Sequence, residues 1–556
     1  MYNFAEKIHN TTIQAGGTMK FLKKLFVFKP SAKAEKFELT QEDNAEYDVR
    51  QEKNVLKDYV SNKIEENMAY IRKRYNIPMN DDVVMREIVT KNNVNAFVLF
   101  YDGMTSSQFI NDNIIKSLIE LPYVNDGKFD ENLYKHFSTH SQVDVKADMD
   151  DVADSVNFGS CALFVDGVDK CFLFDVKSWE HRGIDKPENE QSIYGPQEAF
   201  AEMLRTNTAL IRKILKTEKL VAQGIKVGSV SKTSGVLLYI DGLTNKKLVN
   251  EAKRRISAID KEYIISIEQV QMLVEDNRFM TTPQTFATER PDRAAKALSE
   301  GRCVYILSGS PRALVMPGNA FELTHIASDE YLQVPFAVMS RFVRLIGMFV
   351  SVLLPALYLA ITLFHQEIIP TYLLYSISAS RENVPFPSLL ELLLMDISFE
   401  LIREAGVRMP SSIGSTLGIV GGLILGQAAV SAKIVSPIMI IIIAITGIGS
   451  FSTADYTLGW TYRILRLGFI LLAATFGFFG IAVGIVAYSL YIGSAKSFGI
   501  AFLSPSLSVK PRAESLALMV NPITKREDRP GYLKTQDKKA EPRISGKWRV
   551  KNKFDK

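Results

Sequence analysis

The sequence predicts an α/β soluble N-terminal region with two related subdomains, followed by an all-α polytopic membrane domain. Two observations favour this fold class. A strand–turn–helix pattern occurs twice in the first part of the chain, once around residue 102 and once around residue 241. The last third contains four long runs that are almost free of charge. Because roughly 20 apolar residues cross a bilayer core as a helix, these runs are expected to be transmembrane helices.

The chain is expected to divide into five segments. The predicted bounds are 1–60 for a flexible N-terminal segment, 61–215 and 216–335 for two α/β subdomains, 336–503 for a transmembrane domain and 504–556 for a basic disordered tail. The apolar runs predict spans at about 342–364, 412–432, 434–453 and 467–493. From Lys510 onward, 14 Lys and Arg stand against 6 Asp and Glu with little hydrophobic periodicity, which indicates disorder.

The two subdomains are predicted to be related because their turns match. An apolar strand at 96–101 runs into Asp102-Gly103, and another at 236–240 runs into Asp241-Gly242. Glycine suits such a turn because it adopts positive φ without steric cost. A threonine follows each Asp-Gly pair and is a candidate helix N-cap, Thr105 in the first pattern and Thr244 in the second.

Charge sets the expected orientation in the membrane. Arg341 and Arg344 stand at the entrance of the first span, and the tail carries a net +8 (14 minus 6). Because cytoplasmic segments carry the excess of Lys and Arg, both the N-terminal region and the tail are expected in the cytoplasm, after an even number of crossings. Arg463 and Arg466 would then lie outside, in conflict with that rule. No signal peptide is apparent, so insertion is expected from the first span.

A charged helix is predicted at 387–410, between the first two spans. Four charged side chains that follow Glu391 share an arc of roughly 100° on this helix. They are Asp396, Glu400, Arg403 and Glu404. One such helix would lie at the membrane interface, whereas a ring of them would line an aqueous path, and both alternatives stay open. These four residues and Gln427 of the second span are the candidates for a pore or a gate.

Glycines at every fourth position predict close helix packing. The second span carries Gly414, Gly418, Gly422 and Gly426, and the last span carries Gly480 and Gly484. Glycines at this spacing let two helix backbones approach each other in lipid. The sequence leaves packing within one subunit and packing between subunits as alternatives, and a long series on one helix suits a symmetric oligomer.

Catalytic and cofactor chemistry find no support in the sequence. No Walker A phosphate-binding loop is present. Haloacid-dehalogenase-like phosphatases need a second aspartate two residues before the turn aspartate, where Phe100 and Tyr239 stand. His136 and His140 share a helix face without a third ligand, and the three cysteines are expected to be buried apolar residues in a reducing compartment. We therefore expect no enzyme activity, no cofactor, no metal and no nucleic-acid partner.

From about residue 90 to 505, the sequence resembles the A subunit of the GerA-type spore germinant receptors of Bacillus and Clostridium relatives. The strongest match is FELIREAGVRMPSSIGSTLGIVGGLILG at 399–426, continued to Pro437. Shorter matching motifs lie at 288–292, 309–311, 381–387 and 497–499. Matching single residues in the soluble part are Glu190, Gly195, Pro196, Glu198, Phe200, Asn207 and Arg212. The departures are small, with Asp-Glu-Tyr at 329–331 for the usual Glu-Asp-Tyr and Ala-Phe at 501–502 for Pro-Tyr.

The resemblance implies a subunit of a nutrient germinant receptor in the spore inner membrane. Such a subunit works with a B subunit, which is transporter-like and the expected germinant binder, and with a C subunit, which is a lipoprotein. The resemblance also implies self-association into a ligand-gated ion channel that releases cations to trigger germination. The alternatives are a secondary transporter subunit, which an inverted repeat of broken spans would favour, and a membrane scaffold that assembles germination proteins without conducting.

The expected orientation bears on the role of the soluble subdomains. On the cytoplasmic side they would not meet external nutrient, so we expect them to assemble or gate rather than to bind germinant. The Asp102-Gly103 and Asp241-Gly242 turns would be structural hinges of that assembly.

Overall fold

The protein is described by a computed structural model that covers residues 37–39, 58–91, 93–120, 143–176, 186–408, 422, 424–504 and 528–540. An α/β part with two five-stranded sheets comes first, and a helical part follows. The predicted fold class is therefore confirmed. Most of the predicted flexible segment 1–60 lies outside the described residues.

The first subdomain is an antiparallel sheet with helices on both faces. Its strands run in the order β1-β2-β4-β5-β3. They are β1 (Val83–Val89), β2 (Asn95–Tyr101), β3 (Val143–Lys146), β4 (Cys161–Val165) and β5 (Cys171–Phe174). Its helices are α1 (Ile64–Arg74), α2 (Ser107–Phe109, the π-helical turn Ile110–Ile115 and Lys116–Glu120) and α3 (Met149–Asn157).

Strand β2 has an unbroken apolar sequence because both faces of the sheet are covered. Phe97 and Leu99 pack in the core that contains α1 and α3. Ala96 and Val98, which point the other way, pack in the core that contains α2. A strand that is buried on both faces has no polar side to alternate with its apolar side.

The second subdomain repeats this topology. Its strand order is β6-β7-β9-β10-β8, which is the order of the first sheet with each strand moved on by five. The strands are β6 (Leu220–Gly224), β7 (Gly235–Ile240), β8 (Phe286–Thr288), β9 (Cys303–Leu307) and β10 (Ala313–Met316). The helices are α4 (Leu204–Ile214), α5 (Lys246–Ser257), α6 (Ile267–Val274) and α7 (Pro291–Ser299). The predicted boundary at 215/216 falls just after α4, which packs on α7 and β9 of the second subdomain.

The predicted N-caps after the two Asp-Gly turns are wrong by one residue. Ser106 accepts a hydrogen bond from the Phe109 amide (3.3 Å), and Asn245 accepts one from the Lys247 amide (2.9 Å). The threonine before each cap bonds back to the turn instead, as Thr105 does to the Tyr101 carbonyl at 3.0 Å. The threonine hydroxyl therefore closes the turn, and the next polar residue begins the helix.

A buried ion pair joins the two subdomains. On α4, Nε of Arg212 lies 2.5 Å and its Nη2 lies 2.6 Å from the two carboxylate oxygens of Asp82, which precedes β1. The two side chains are 3% and 2% exposed. The guanidinium also lies 4.1 Å from the ring centroid of Tyr101 and donates to the Leu220 carbonyl at 3.0 Å. Two-pronged pairing of this kind fixes orientation as well as distance.

The helical part begins with a long apolar helix. Its described helices are α8 (Val334–Phe364), α9 (Thr371–Arg381), α10 (Ser388–Arg408), α11 (Pro437–Phe451) and α12 (Tyr456–Gly493). Among the described residues, α8 and α12 are long and apolar enough to cross a membrane, with 31 and 38 residues. Helix α11 has 15 residues, fewer than the span predicted at 434–453. The span predicted at 412–432 lies largely outside the described residues, and its 424–431 portion is helical.

Helix α12 is a hairpin of two helical arms rather than one straight span. Its backbone leaves helical geometry at Gly477 (φ 59°, ψ −140°). Thr461, near the start, donates to the Thr281 carbonyl at 2.5 Å, and Tyr491, near the end, donates to the Phe279 carbonyl at 3.5 Å. Both ends of α12 therefore contact one loop of the second subdomain, while Gly477 lies at the far end beside Phe364 of α8.

The chain returns to the second subdomain after α12. Strands β11 (Lys496–Ser497) and β12 (Ile500–Ala501) form a short hairpin, and Ser497 donates to the Gln284 carbonyl at 2.6 Å. Farther on, residues 528–540 fold against the second subdomain and include a 3-10 turn at Gly531–Leu533, with Leu533 fully buried. The predicted disordered tail at 504–556 is therefore interrupted by an ordered segment. A groove on the surface of the second subdomain holds this segment in place. The hydrophobic periodicity of the segment itself does not predict such a groove.

Replacing Arg212 with Ala should destabilise the α/β part by about 3–5 kcal/mol, because the Asp82 carboxylate would stay buried without its partner. The matched control is Lys213→Ala, which removes a 2.6 Å pair with Glu198 on the exposed side of α4 and should cost about 0–1 kcal/mol. Thermal unfolding and limited proteolysis of the full chain in detergent would measure both effects. Equal melting temperatures for the two variants would contradict this prediction.

Candidate functional site

The candidate site is a cluster of charged side chains buried between α10 and α12. Nη2 of Arg466 lies 2.9 Å from Oδ1 of Asp396 and 2.8 Å from Oε1 of Glu400. Arg463, one turn earlier on α12, lies 3.5 Å from the other carboxylate oxygen of Glu400. The Arg466 and Asp396 side chains are 1% and 4% exposed, whereas that of Glu400 is 27% exposed. One buried cation is therefore shared by two carboxylates. We call Asp396, Glu400, Arg463 and Arg466 the charge network.

The charge network balances charge but leaves polar atoms without hydrogen bonds. Moving an ion out of water costs several kcal/mol, and only close pairing with further hydrogen bonds offsets that cost. Within the described part of the chain, Nε of both Arg463 and Arg466 has no hydrogen-bond partner, and Oδ1 of Asp396 meets Nη2 of Arg466 at 2.9 Å without the geometry of a hydrogen bond. The network is thus a strong positional constraint whose hydrogen bonding is incomplete, so a small shift of α10 against α12 would change its energy considerably.

Helix α10 runs beside α11 in the same direction. Early on α10, the buried Glu391 accepts a 3.0 Å hydrogen bond from the amide of Ser436, the N-cap residue of α11. Late on α10, Arg403 donates to Ser450 at 3.2 Å, and its guanidinium lies 5.0 Å from the centroid of the Phe451 ring. The charged face of α10 is therefore packed along α11 as well as α12.

The predicted pore or gate residues do not share one environment. Asp396 and Glu400 belong to the charge network, and Arg403 contacts the end of α11. Glu404 is half-buried, while Gln427 is exposed on the helical segment at 424–431. The structure thus separates one fully enclosed carboxylate, Asp396, from two carboxylates at the edge of the bundle, Glu400 and Glu404.

Sequence reasoning missed the cationic partners of these carboxylates. Arg463 and Arg466 enter it only as a conflict with the expected orientation, and Arg381, which lies 3.4 Å from the buried Glu391, has no assigned role there. One usable signal exists in the sequence. Two arginines three residues apart at the start of an apolar run need acidic partners, and α10 offers acidic residues at helical spacing.

The predicted packing glycines fall into three groups. Gly414 and Gly418 lie outside the described residues. Gly422 is exposed, and a Cβ there would meet none of the described atoms within 4 Å, whereas a Cβ on Gly426 would lie 3.8 Å from Ile440 of α11. Gly480 and Gly484 lie where the arms of α12 meet, since a Cβ on Gly484 would lie 2.7 Å from the Phe469 ring. The glycines of α12 thus allow close packing of its two arms within one subunit, whereas the surface at Gly422 is not covered by the described part of the chain.

The two predicted hinge turns lie at the interface between the subdomains. Gly103 and Gly242 adopt φ of +86° and +74°. Oδ2 of Asp102 lies 3.2 Å from Nε of Arg205 on α4, so a turn of the first subdomain contacts a helix of the second. In the reciprocal contact, Oδ2 of Asp241 accepts a 3.3 Å hydrogen bond from Asn76, which follows α1. In each subdomain, the aspartate of the repeated turn therefore contacts the other subdomain.

A loop of the second subdomain connects the sheet to the helical part. We call residues 276–285 the junction loop; it contacts both ends of α12. Oε1 of Glu275 fixes the loop by accepting hydrogen bonds from the amides of Gln284 (2.8 Å) and Thr285 (3.0 Å) and from the Thr285 hydroxyl (2.9 Å). Burial raises the pKa of the Glu275 carboxyl above its ordinary value, although these hydrogen bonds oppose the shift.

Metal and thiol chemistry find no site in the described structure. Among the described residues, no group of three or more His, Cys, Asp or Glu side chains is arranged to hold a metal ion. His136 and His140 lie outside those residues. Cys161, Cys171 and Cys303 are buried and not joined in disulfides. Burial raises the pKa of all three thiols, which keeps them protonated and unreactive.

Comparison with known proteins relates most of the chain to proteins of spore germination. The model of the family described as Bacillus/Clostridium GerA spore germination protein matches residues 69–532. Spore germination protein KA of Bacillus subtilis (strain 168) is 34% identical over 481 residues, which cover 86% of this chain and 88% of that protein. Spore germination protein GerLA of Bacillus cereus is 33% identical, over 83% of this chain and 94% of that protein.

Two further similarities concern the membrane and the soluble part. A B. subtilis (strain 168) protein called uncharacterized membrane protein YfkQ is 37% identical over 423 residues, 76% of this chain and 82% of its own length. Among solved structures, the N-terminal domain of the A subunit of the Bacillus megaterium spore germinant receptor GerK3 is 28% identical, with a TM-score of 0.37. That match covers 47% of this chain and 97% of the solved chain.

Proposed function

The chain belongs to the Bacillus/Clostridium GerA family of spore germination proteins, and from that premise we propose that it is the A subunit of a nutrient germinant receptor in the spore inner membrane. We propose further that copies of it assemble into a ligand-gated channel that releases cations to start germination. The B subunit, a transporter-like germinant binder, and the C subunit, a lipoprotein, are its proposed partners, as the family resemblance implies.

The charge network is the observation that carries the channel proposal. Charged side chains inside apolar helices are costly and mark ion paths or gates. Asp396 is enclosed by α12 and acts in this proposal as a positioning residue. Glu400 and Glu404 stay partly exposed at the edge of a single chain. When several copies are arranged around an axis, those edges would form a ring of carboxylates that concentrates cations.

The junction loop supports a route by which soluble subdomains act on that gate. It holds both ends of α12 through Thr281 and Phe279, and Arg466 on the first arm of α12 holds α10 through Asp396. A displacement of the loop would therefore be transmitted to the charge network through one helical arm. Movement of packed helices by small shifts is a common form of gating transition.

The orientation proposal keeps both soluble ends in the cytoplasm and revises the number of crossings. Helix α8 leads away from the second subdomain, and α10 runs back beside α11. The arms of α12 lead away and return. If the predicted span at 412–432 crosses the membrane before α11, the helical part makes six crossings instead of four, and the number of crossings stays even. Arg463 and Arg466 then lie near the cytoplasmic end of the first arm of α12, which removes the conflict with the positive-inside rule.

The direct test of the channel is cation release from spores that carry Glu400→Gln with Glu404→Gln. Release should fall severalfold at equal protein abundance, because the edge carboxylates that attract cations are gone and Arg463 loses a partner. The matched control is Glu367→Gln, an exposed carboxylate of the helical part outside α10. Unchanged cation release in the double variant, with abundance checked by immunoblot, would overturn the proposed role of this edge.

The oligomer proposal is tested at Gly422. Because a Cβ there would meet none of the described atoms within 4 Å, Gly422→Leu should leave the melting temperature of the monomer unchanged while it blocks close approach of a second copy. Gly468→Leu is the matched control, since that glycine is also exposed and open. Crosslinking in membranes is expected to lose the full-size oligomer only for Gly422→Leu. Full-size oligomers with normal germination in both variants would refute the role of the glycine series.

Orientation is tested with a membrane-impermeant thiol reagent. Ser107 is exposed on α2, and Tyr372 on α9, beyond the far end of α8, is 91% exposed. In intact cells, Tyr372→Cys should react at once and Ser107→Cys only after permeabilisation. The native thiols are buried and need not be removed, and the chain without either substitution is the control. The opposite labelling pattern would invert the topology and end the claim that the soluble subdomains gate from the cytoplasm.

A further inference from the structure

The segment at 528–540 is a small folded loop closed by its own contacts. Nη1 of Arg529 lies 2.9 Å from Oδ2 of Asp537, and the Arg529 amide donates to the Lys538 carbonyl at 2.9 Å. An isolated bridge pairs Asp528 with Lys539. The loop therefore has a defined shape and presents its middle residues, 531–535, to the second subdomain.

Tyr532 and Thr535 of the loop enter a groove of the second subdomain. The Tyr532 hydroxyl oxygen accepts hydrogen bonds from Nη2 of Arg302 (2.8 Å) and Nδ2 of Asn319 (2.9 Å). Leu533 is fully buried, and Thr535 is 3% exposed. The groove includes Gly301, whose φ is +94° and where a Cβ would collide with the Thr535 methyl group. The missing side chain at Gly301 thus makes room for Thr535, which is buried beside the hydrogen-bonded Tyr532.

Backbone hydrogen bonds fix the register of the loop in this groove. Asn245, the N-cap of α5, donates from Nδ2 to the Lys534 carbonyl at 3.0 Å. The Gln536 amide donates to the Leu243 carbonyl, also at 3.0 Å. On the other side, Nε of Arg529 donates to the carbonyl of Ser299 at 3.0 Å. Buried side chains combined with main-chain pairing are the usual composition of a peptide-recognition site.

The groove adjoins the entrance of the helical part. Arg302, which binds Tyr532, also pairs with Glu322. Both residues line a small cavity of about 60 Å³ together with Glu330, which precedes α8, and Arg341, which lies in the early part of α8. In the turn before α8, Asp329 pairs with Arg341 and with Arg344. When Tyr532 occupies the groove, it therefore helps to fix Arg302, which lines the cavity beside the start of α8.

We propose that the second subdomain carries a peptide-binding groove whose ligand is the chain's own Tyr-Leu-Lys-Thr segment at 532–535. The groove and this segment together form a clasp. When the clasp opens, the same peptide supplied in trans can occupy the groove. The connection through 505–527 makes closure intramolecular, so the clasp stays closed although a short peptide alone binds far more weakly. Occupancy stabilises the second subdomain in the way that any ligand stabilises the state that binds it. The clasp is independent of whether the assembly conducts ions.

The test is binding of a fluorescent peptide, residues 528–540, to the full chain in detergent, measured by anisotropy. The chain with Tyr532→Ala and Leu533→Ala has a vacated groove and should bind the peptide at least about tenfold more tightly than the unaltered chain, where the groove is filled in cis. The peptide should also raise the melting temperature of the vacated chain. A peptide with the same two substitutions should not bind, whereas one with Lys538→Ala, an exposed position, should bind normally.

A groove-side variant and the unaltered chain complete the test. Asn319→Ala removes the donor to Tyr532, so it should weaken peptide binding about tenfold in the vacated background. Its melting temperature without peptide measures separately the loss of the oxygen that accepts a hydrogen bond from the Glu322 amide. Hydrogen exchange in the unaltered chain should show protection of the Gln536 amide, and Asn319→Ala should reduce that protection. Equal peptide binding by the vacated and unaltered chains would overturn the proposal. Fast exchange throughout 528–540 in the unaltered chain would overturn it even if the vacated variant failed to fold.

Discussion

The pairing of Arg466 with Asp396 and Glu400 is the constraint on which the helical part depends. A guanidinium that is 1% exposed among apolar helices is tolerated only beside an anion, so α10 cannot move away from α12 without a large electrostatic cost. A leucine-rich helix with one acidic face would otherwise suit the membrane interface. The ion pair draws it into the bundle instead, and it divides the acidic face into an enclosed part at Asp396 and an edge at Glu400 and Glu404.

The hairpin form of α12 gives that constraint a connection to the soluble part. Because the chain turns back at Gly477, both ends of α12 reach the junction loop, and the loop is fixed by the Glu275 carboxylate. A straight helix would have touched the second subdomain at one end only. Two anchored arms resist tilting of α12 as a whole, so the movement that remains is a shift of one arm against the other, close to Arg463 and Arg466. Coupling of the soluble part to the charge network would require this arm of α12 to have two stable positions.

The sequence predicts those features that local pattern determines. The strands before Asp102 and Asp241 follow from apolar runs that end in Asp-Gly. The duplication follows because the strand, the Asp-Gly turn and the threonine recur in the same order and at the same offsets. The turn at Gly477 could not be predicted, because glycines within an apolar run are equally compatible with a continuous span. Nor could the partners of Asp396, since Arg466 is distant in sequence and the pairing depends on how α10 and α12 pack. The ordered loop at 528–540 depends on a groove that exists only in the folded second subdomain.

The two subdomains share a strand order but make different contacts. The contacts with the helical part described above come from the second subdomain, through the junction loop, the turn before α8 and the groove. Several residues that carry the family resemblance form its buried polar framework. Arg290 is fully buried and pairs with Asp292 at 2.9 Å, while Glu190 lies 2.7 Å from Arg293. The first subdomain meets the second at Arg212, which is itself one of the matching residues. Any influence of the first subdomain on the helices through these contacts must therefore pass through the second, and the buried, two-pronged Arg212–Asp82 pair lies on that route.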